Sequence, residues 1–398
     1  MYNFVTMKKQ SFADILSGIT EADSARVFKK VPAWSDVPGI EFPSRLSTEQ
    51  CSSQETALYK AALAGRIIAE CGESGGIIDL TGGLGVDCWA FSRVAARVHH
   101  NEMNAELSAA VRKNFESLGI ANASFSCIEV QPGNITEVMA SAGFSPALIF
   151  LDPARRSETG RKVFLLEDCR PDIISLEEEL LAAAPSVLVK LSPMADITMV
   201  CRRLGAEVRE VHVVGAGGEC KELLIWLQRG WKGGYEIVCS DAGSQGGTLR
   251  FSPEEEAAAV PSFLPDAEAL ENGWLFEPSA ALLKAGCFNL LCSRMGLRKF
   301  ARFTHLYFTD TPDSALMAFG KLFKINQVYP FESSILKTLG KSLGPCEVTA
   351  RNLPITSDGL RKKLGTASGG HSHVFALTAD SASGSRRLLL VCSKTIWK

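Results

Sequence analysis

From Gly76 to about Gln228, short apolar runs alternate with segments of helical spacing, and this alternation restricts the fold more than any other feature of the chain. "GIIDL", "RVHHNE", "ASFSCIE", "ALIFLDP", "SVLVKLSP", "EVHVVGA" and "ELLIWLQ" read as strands. "VDCWAFSRVAA" and "NAELSAAVRKNFESLGI" read as helices, the second closed by Gly119. Strands and helices in such alternation build an α/β fold, a mostly parallel sheet with helices on both faces. Only "GGECK" joins the last two runs. That is too short for a helical crossover, so they are expected to pair as an antiparallel hairpin.

Upstream, several prolines and mixed periodicity in the first fifty residues suggest short helices and loops. "SSQETALYKAALAGRIIAE" then reads as a helix, with Ser52 and Glu55 in a capping-box pattern and Tyr59, Leu63 and Ile67 four residues apart. Downstream, "GWKGGYEIVCSDAGSQGGTLRFSPEEE" is rich in Gly and Ser and reads as the exit from the domain. "GWLFEPSAALLKAGCFNLLCSRMGL" reads as a strand and then a helix with Pro278 at its start. From about Ala301 the pattern is α+β: strands at "HLYFTD", "PCEVTARNL", "SHVFALTA" and "RLLLVCSKT", helices at "SSILKTLGKSLG" and "TSDGLRKKLG". The expected division is a helical extension over 1–70, the α/β domain over 71–232, a linker and small domain over 233–300, and an α+β domain over 301–398.

Apolar residues make up 46% and charged residues 22% of the 398, enough for a sizeable core. No run is long enough to span a membrane, and the first twenty residues lack the pattern of a signal peptide, so a cytoplasmic location is expected. The twelve cysteines form no CxxC and have no histidine at ligand spacing, which argues against a disulfide framework and against a metal site. Net charge is −2, yet residues 298–398 hold 15 Lys and Arg against 6 Asp and Glu, about +9, leaving about −11 elsewhere. Such asymmetry suggests that the basic part meets a polyanion; the alternative is a basic solvated surface without a partner.

Chemistry concentrates at "DLTGGLGVD". Asp79 ends the first apolar run, and Thr81, Gly82, Gly83 and Gly85 follow where strand should turn into helix. In a doubly wound sheet a ligand lies against this loop, and glycines let it touch the backbone. The loop departs from the dinucleotide pattern G-x-G-x-x-G, and Asp79 and Asp87 flank it. Two carboxylates repel a pyrophosphate and suit a cationic ligand, so the loop favours S-adenosylmethionine, which carries a sulfonium and an amino group and no phosphate. Glu102, 17 residues past Gly85, is placed to accept both ribose hydroxyls; the alternative is a surface carboxylate starting a helix.

"LIFLDPARR" is the second cluster. Asp152 and Pro153 fall at the carboxyl end of their strand, beside the same crevice. Asp152 can accept a hydrogen bond from an amino group, the Leu151 carbonyl can accept another, and proline fixes the turn. Holding an amine in this way points its lone pair at a methyl donor and removes the entropic cost of alignment. Arg155 and Arg156 are suited to phosphate, or to pairing with nearby acids. Lys190 in "VLVKLSP" ends its strand at the same edge and either faces substrate or pairs with one of the acids.

"DLTGGLGVD", the acid of "HHNE" and "LDPARR" resemble motif I, the post-I acid and motif IV of class I S-adenosylmethionine-dependent methyltransferases, over roughly residues 50–230. The resemblance implies a Rossmann-like sheet ending in the antiparallel hairpin. More narrowly, "LSTEQCSSQETALYKA", "LDPARR", "VKLSPMADI" and "GGECKELLIW" resemble bacterial methyltransferases with small C-terminal domains. "LFEPSAALLKAG" is similar to their ferredoxin-like domain, and the segment from "YPFESSILKTLG" onward to their THUMP-like domain. By this resemblance Asp79, Gly82, Gly83 and Gly85 hold the methionine end of the cofactor, Glu102 holds its ribose, and the acceptor docks at Asp152 and Pro153. THUMP domains bind RNA, which implies a tRNA or rRNA substrate methylated at a base nitrogen.

Two departures bear on this expectation: the C-terminal domain is THUMP-like and not THUMP, so that its alternatives are docking a protein or stabilising the chain, and the acceptor motif differs. Amine methyltransferases carry D/N-P-P and an aromatic residue, whereas Ala154 and Arg155 stand here. D-P-x-R also occurs in RNA uracil-C5 methyltransferases, whose cysteine nucleophile has only Cys169 as a counterpart, without the surrounding motif. The competing readings are a non-catalytic cofactor- or RNA-binding protein on a methyltransferase scaffold, and a protein or small-molecule methyltransferase.

Overall fold

The computed structural model describes residues 21–72, 75–155, 166–242, 246–264, 270–381 and 384–394. They divide into two compact units, Met1–Val211 with Lys221–Gly234, and His212–Cys220 with Tyr235–Lys398.

The first unit opens with helices α1 (Glu21–Lys30), α2 (Arg45–Gln50) and α3 (Gln54–Cys71). The cap of α3 is Ser53, whose hydroxyl accepts from the Thr56 amide, and Gly72 ends the helix at φ 69°. Ser52, expected as the cap, is drawn instead to a carboxylate described below. Strands β1 (Gly76–Asp79), β2 (Val98–Asn101), β3 (Ala123–Ser126), β4 (Pro146–Leu151), β5 (Ser186–Leu191), β6 (Val208–Ala216) and β7 (Glu219–Gln228) follow, with His212–Cys220 of the last two counted in the second unit. Between them lie α4 (Val86–Phe91), α5 (Ala105–Ser117), α6 (Ile135–Ala142), α7 (Ile173–Ala183) and α8 (Ile197–Leu204).

The strand order is β3-β2-β1-β4-β5-β7, with β6 beside β7 in the hairpin. Pairing is parallel from β3 through β5, and β7 runs antiparallel to β5 from Ser186↔Gln228 to Leu191↔Leu223. This is the expected parallel sheet followed by an antiparallel hairpin, although Glu236–Asp241 and Leu249–Phe251 extend the sheet beyond the hairpin. Every residue of β1 and β4 is buried, as strands covered by helices on both faces require. Strand order runs outward in opposite senses from β1 and β4, so their carboxyl ends open the crevice at which such sheets bind ligands.

In the second unit, the Gly/Ser-rich stretch read as an exit carries structure of its own. Strands β8 (Glu236–Asp241) and β9 (Leu249–Phe251) pair antiparallel, and helix α9 (Pro253–Ala258) follows with a complete Ser252–Glu255 capping box. A seven-stranded sheet then comprises β10 (Trp274–Pro278), β11 (Arg298–Lys299), β12 (Tyr307–Thr309), β13 (Gly320–Pro330), β14 (Cys346–Arg351), β15 (Ser372–Ser381) and β16 (Gly384–Lys394). Its order is β11-β12-β10-β13-β16-β15-β14. Helices α10 (Ala280–Ala285), α11 (Leu290–Met295), α12 (Ser333–Ser342) and α13 (Ser357–Leu364) accompany it. Leu336, Leu339, Leu360 and Leu364 of α12 and α13 pack with Val348, Val374, Leu389 and Val391 of the sheet. No described helix is long and apolar enough to cross a membrane.

Candidate active site

The glycine loop is built by β1 and supported by β2. Gly82 donates its amide to the Asn101 carbonyl at 2.8 Å, and Asn101 donates from Nδ2 to the Leu80 carbonyl at 3.0 Å. His100 lies directly beneath: a Cβ on Gly82 would stand 2.1 Å from its Nε2, so no other residue fits there without displacing the ring. The same Nε2 is 3.3 Å from the Gly83 carbonyl, and Nδ1 is buried without a partner. Burial pulls His100 down to about 4, so near neutrality the ring is uncharged and Nε2–H donates to that carbonyl. A Cβ on Gly85 would press on Val111 and Phe115 of α5. Gly83 differs. Its φ is +53° and a Cβ there would have nothing nearer than the Thr81 carbonyl at 4.0 Å, so it alone of the three leaves open space above the loop.

The two clusters separated in sequence meet here. The Asp152 amide donates to Thr81 Oγ1 at 2.6 Å, tying the loop after β4 to the glycine loop. Asp79 is 1% exposed; its Oδ1 accepts the Thr81 amide at 3.2 Å, and its Oδ2 has no partner. Burial first, and the negative charge of Asp87 second, push its carboxyl well above the carboxylate range, with Asp152 and Glu102 adding to them. Glu102 accepts the Gly83 amide at 3.0 Å and the Asn104 amide at 2.8 Å, which fixes it at the end of β2.

Lys190 forms the ion pair that was one of its two readings: Nζ is 2.5 Å from Asp152 Oδ2. Burial alone would lower the lysine, but Asp152, Asp87 and Glu222 outweigh it and raise it. Asp152 keeps 38% of its side chain exposed and Pro153 behind it is buried. Arg155 belongs to a two-residue strand, Ala154–Arg155, paired with Cys169–Arg170. Arg156 lies outside the described residues. Cys169 is completely buried, which does not suit a nucleophile that must reach a base.

Asp87 faces inward. Its Oδ2 accepts from Ser52 at 2.8 Å and its Oδ1 is 3.2 Å from Lys60 Nζ. Lys60, on α3, also reaches Ser52 at 3.2 Å and both oxygens of Glu222 at 2.7 and 2.9 Å. Sequence reasoning singled out neither Lys60, Glu222 nor His100. For Lys60 a faint signal exists, because it falls on the small-residue stripe Ala57, Ala61 and Ala64 that an amphipathic helix buries.

A solved structure from Porphyromonas gingivalis W83, of a protein classed as a methyltransferase, matches 98% of this chain and 95% of its own length at 31% identity, with a TM-score of 0.80. The chain belongs to that methyltransferase family. Within it, the second unit matches a ferredoxin-like domain over residues 274–316 and a THUMP domain-like family over 320–394. A SAM-dependent methyltransferase from Aquifex aeolicus matches 48% of this chain and 100% of its own at 14% identity and a TM-score of 0.32. Comparison with curated proteins finds no match.

S-adenosylmethionine, the cofactor that the sequence motifs imply, fits the crevice on three observations. Asp79 has an unpartnered buried oxygen. Gly83 leaves space where a side chain would stand. The carboxylates of Asp152 and Glu102 both act on Asp79, and a cationic ligand relieves that repulsion.

Proposed function

We propose that this protein transfers a methyl group from S-adenosylmethionine to a base nitrogen in tRNA or rRNA. When bound, the cofactor supplies an electrophilic methyl group. Asp79, Thr81, Gly82, Gly83 and Gly85 would hold its methionine end and Glu102 its ribose. The observation that carries the reading is the hydrogen bond from the Asp152 amide to Thr81, which joins the cofactor loop to a half-exposed carboxylate at the acceptor side.

Lys190 occupies Oδ2 of Asp152. Oδ1 is then left to accept from an acceptor N–H, directing the nitrogen lone pair, and the Leu151 carbonyl gives a second acceptor. Alignment of this kind supplies rate without a nucleophile or a metal. The THUMP domain-like match and the +9 charge of residues 298–398 support RNA as substrate.

Titration with S-adenosylmethionine and transfer of its methyl group to total RNA separate the roles. Asp152→Ala should abolish transfer and leave cofactor affinity within a few-fold, while Asp79→Ala should lose the cofactor first. Loss of cofactor binding in Asp152→Ala would show that the acid belongs to the cofactor pocket.

A further inference from the structure

Five charges of alternating sign run through the first unit. Asp152 meets Lys190. Lys190 stands opposite Leu224 across the β5–β7 pairing, and Glu222 follows two residues along β7 on the same face. Glu222 receives Lys60 on both oxygens, and Lys60 continues to Asp87. Lys60 is completely buried and the Glu222 side chain is 4% exposed. The "SSQETALYK" segment that supplies Ser52 and Lys60 has no part in the function described so far.

A lysine between two carboxylates moves toward the less satisfied one. Lys190 lies in the field of both Asp152 and Glu222. We propose that Lys60 is a positioning residue for the methyl-transfer site: by saturating Glu222 it leaves Lys190 to Asp152, and so fixes the direction of the acceptor-side carboxylate. This rests on the role of Asp152 given above. A merely structural Lys60, docking α3 against the sheet, would lower stability and activity together, and removing Glu222 as well would not bring activity back.

The test uses the full chain, tritiated S-adenosylmethionine and total RNA from cells lacking this protein, with cofactor Kd and melting temperature measured beside it. Lys60→Met leaves Glu222 unpaired to draw Lys190 away, so transfer should fall about tenfold or more in kcat. Cofactor affinity should stay within a few-fold, because Lys60 reaches Ser52, Glu222 and Asp87 and none of the groups assigned above to hold the cofactor. In Lys60→Met/Glu222→Gln the competing charge is gone, and kcat should return to within about threefold of the parent. Lys60→Gln, polar but uncharged, should move the same way and serves if Lys60→Met does not fold. Wild-type transfer in both single variants, or a double variant no better than the single at equal melting temperature, would overturn the proposal. Asp152→Ala in the same assay separates the two ideas. If it too transfers normally, the acceptor role of Asp152 fails; if it is inactive while Lys60→Met is active, only the role of Lys60 fails.

Discussion

Two adjacent glycines should fail in opposite ways when given a methyl group. In Gly82→Ala the new Cβ falls 2.1 Å from His100 Nε2. That ring is fully buried, with the Phe115 and Phe125 rings near it at centroid distances of 6.3 and 5.9 Å, so it has nowhere to retreat. Overpacking of this kind costs about 1–3 kcal/mol, and a unit of this size loses about 2–4 °C of melting temperature per kcal/mol. In Gly83→Ala the Cβ meets nothing within the protein closer than 4.0 Å. The cost is the left-handed backbone alone, about 1–2 kcal/mol, but the methyl group now occupies the cradle. Thermal melts with and without S-adenosylmethionine read both effects. Ligand at about 100 times its Kd stabilises the parent by about 2.7 kcal/mol, and a tenfold loss of affinity cuts that to about 1.4 kcal/mol. Gly83→Ala should therefore melt only about 2–8 °C below the parent without ligand and lose at least half of the ligand-induced rise, whereas in Gly82→Ala the loss should show chiefly in the melt without ligand. A Gly83→Ala variant with the full rise would refute the assignment of that space to the cofactor.

Histidine burial gives an acid dependence. His100 is lowered from an ordinary 6.5 to about 4, so the unfolded chain binds its proton more tightly; the stability is present above pH 6.5 and is lost as pH falls toward 4. The difference amounts to roughly 3 kcal/mol, and urea midpoints at pH 7.5 and 4.5 should converge more in His100→Gln than in the parent. Asp79 has the opposite sign for ligand binding: its carboxyl is raised and must lose a proton to hold a cation, so S-adenosylmethionine affinity measured by titration should climb with pH and flatten in Asp79→Asn. RNA binding should weaken steeply between 50 and 200 mM salt, by about two orders of magnitude if several phosphates are contacted, and filter binding across that range checks it.

The sheet was legible because covered strands write themselves as unbroken apolar runs, and the five-residue "GGECK" allowed only a hairpin. The glycine loop and Asp152 were legible as a pair of strand ends. Their contact was not, since the hydrogen bond from Asp152 to Thr81 spans 71 residues and no local pattern encodes it. The same holds for Lys60 and Glu222, 162 residues apart. Asp87 misled for a related reason: its position after the glycines is the same whether it faces the crevice or, as here, Ser52 and Lys60. Strand Gly320–Pro330 was passed over because polar residues at Lys321, Lys324, Asn326 and Gln327 break its alternation, although a register shift between Ile325 and Gln327 accommodates them.

The most direct test of methyl transfer to RNA incubates the protein with tritiated S-adenosylmethionine and total RNA from cells lacking it, with Asp152→Ala alongside. Label in RNA with the parent and none with Asp152→Ala is the predicted result, and digestion of that RNA should place the label on a base nitrogen. Cofactor binding without label in RNA would contradict the account and point to a protein substrate or a scaffold that binds without turnover.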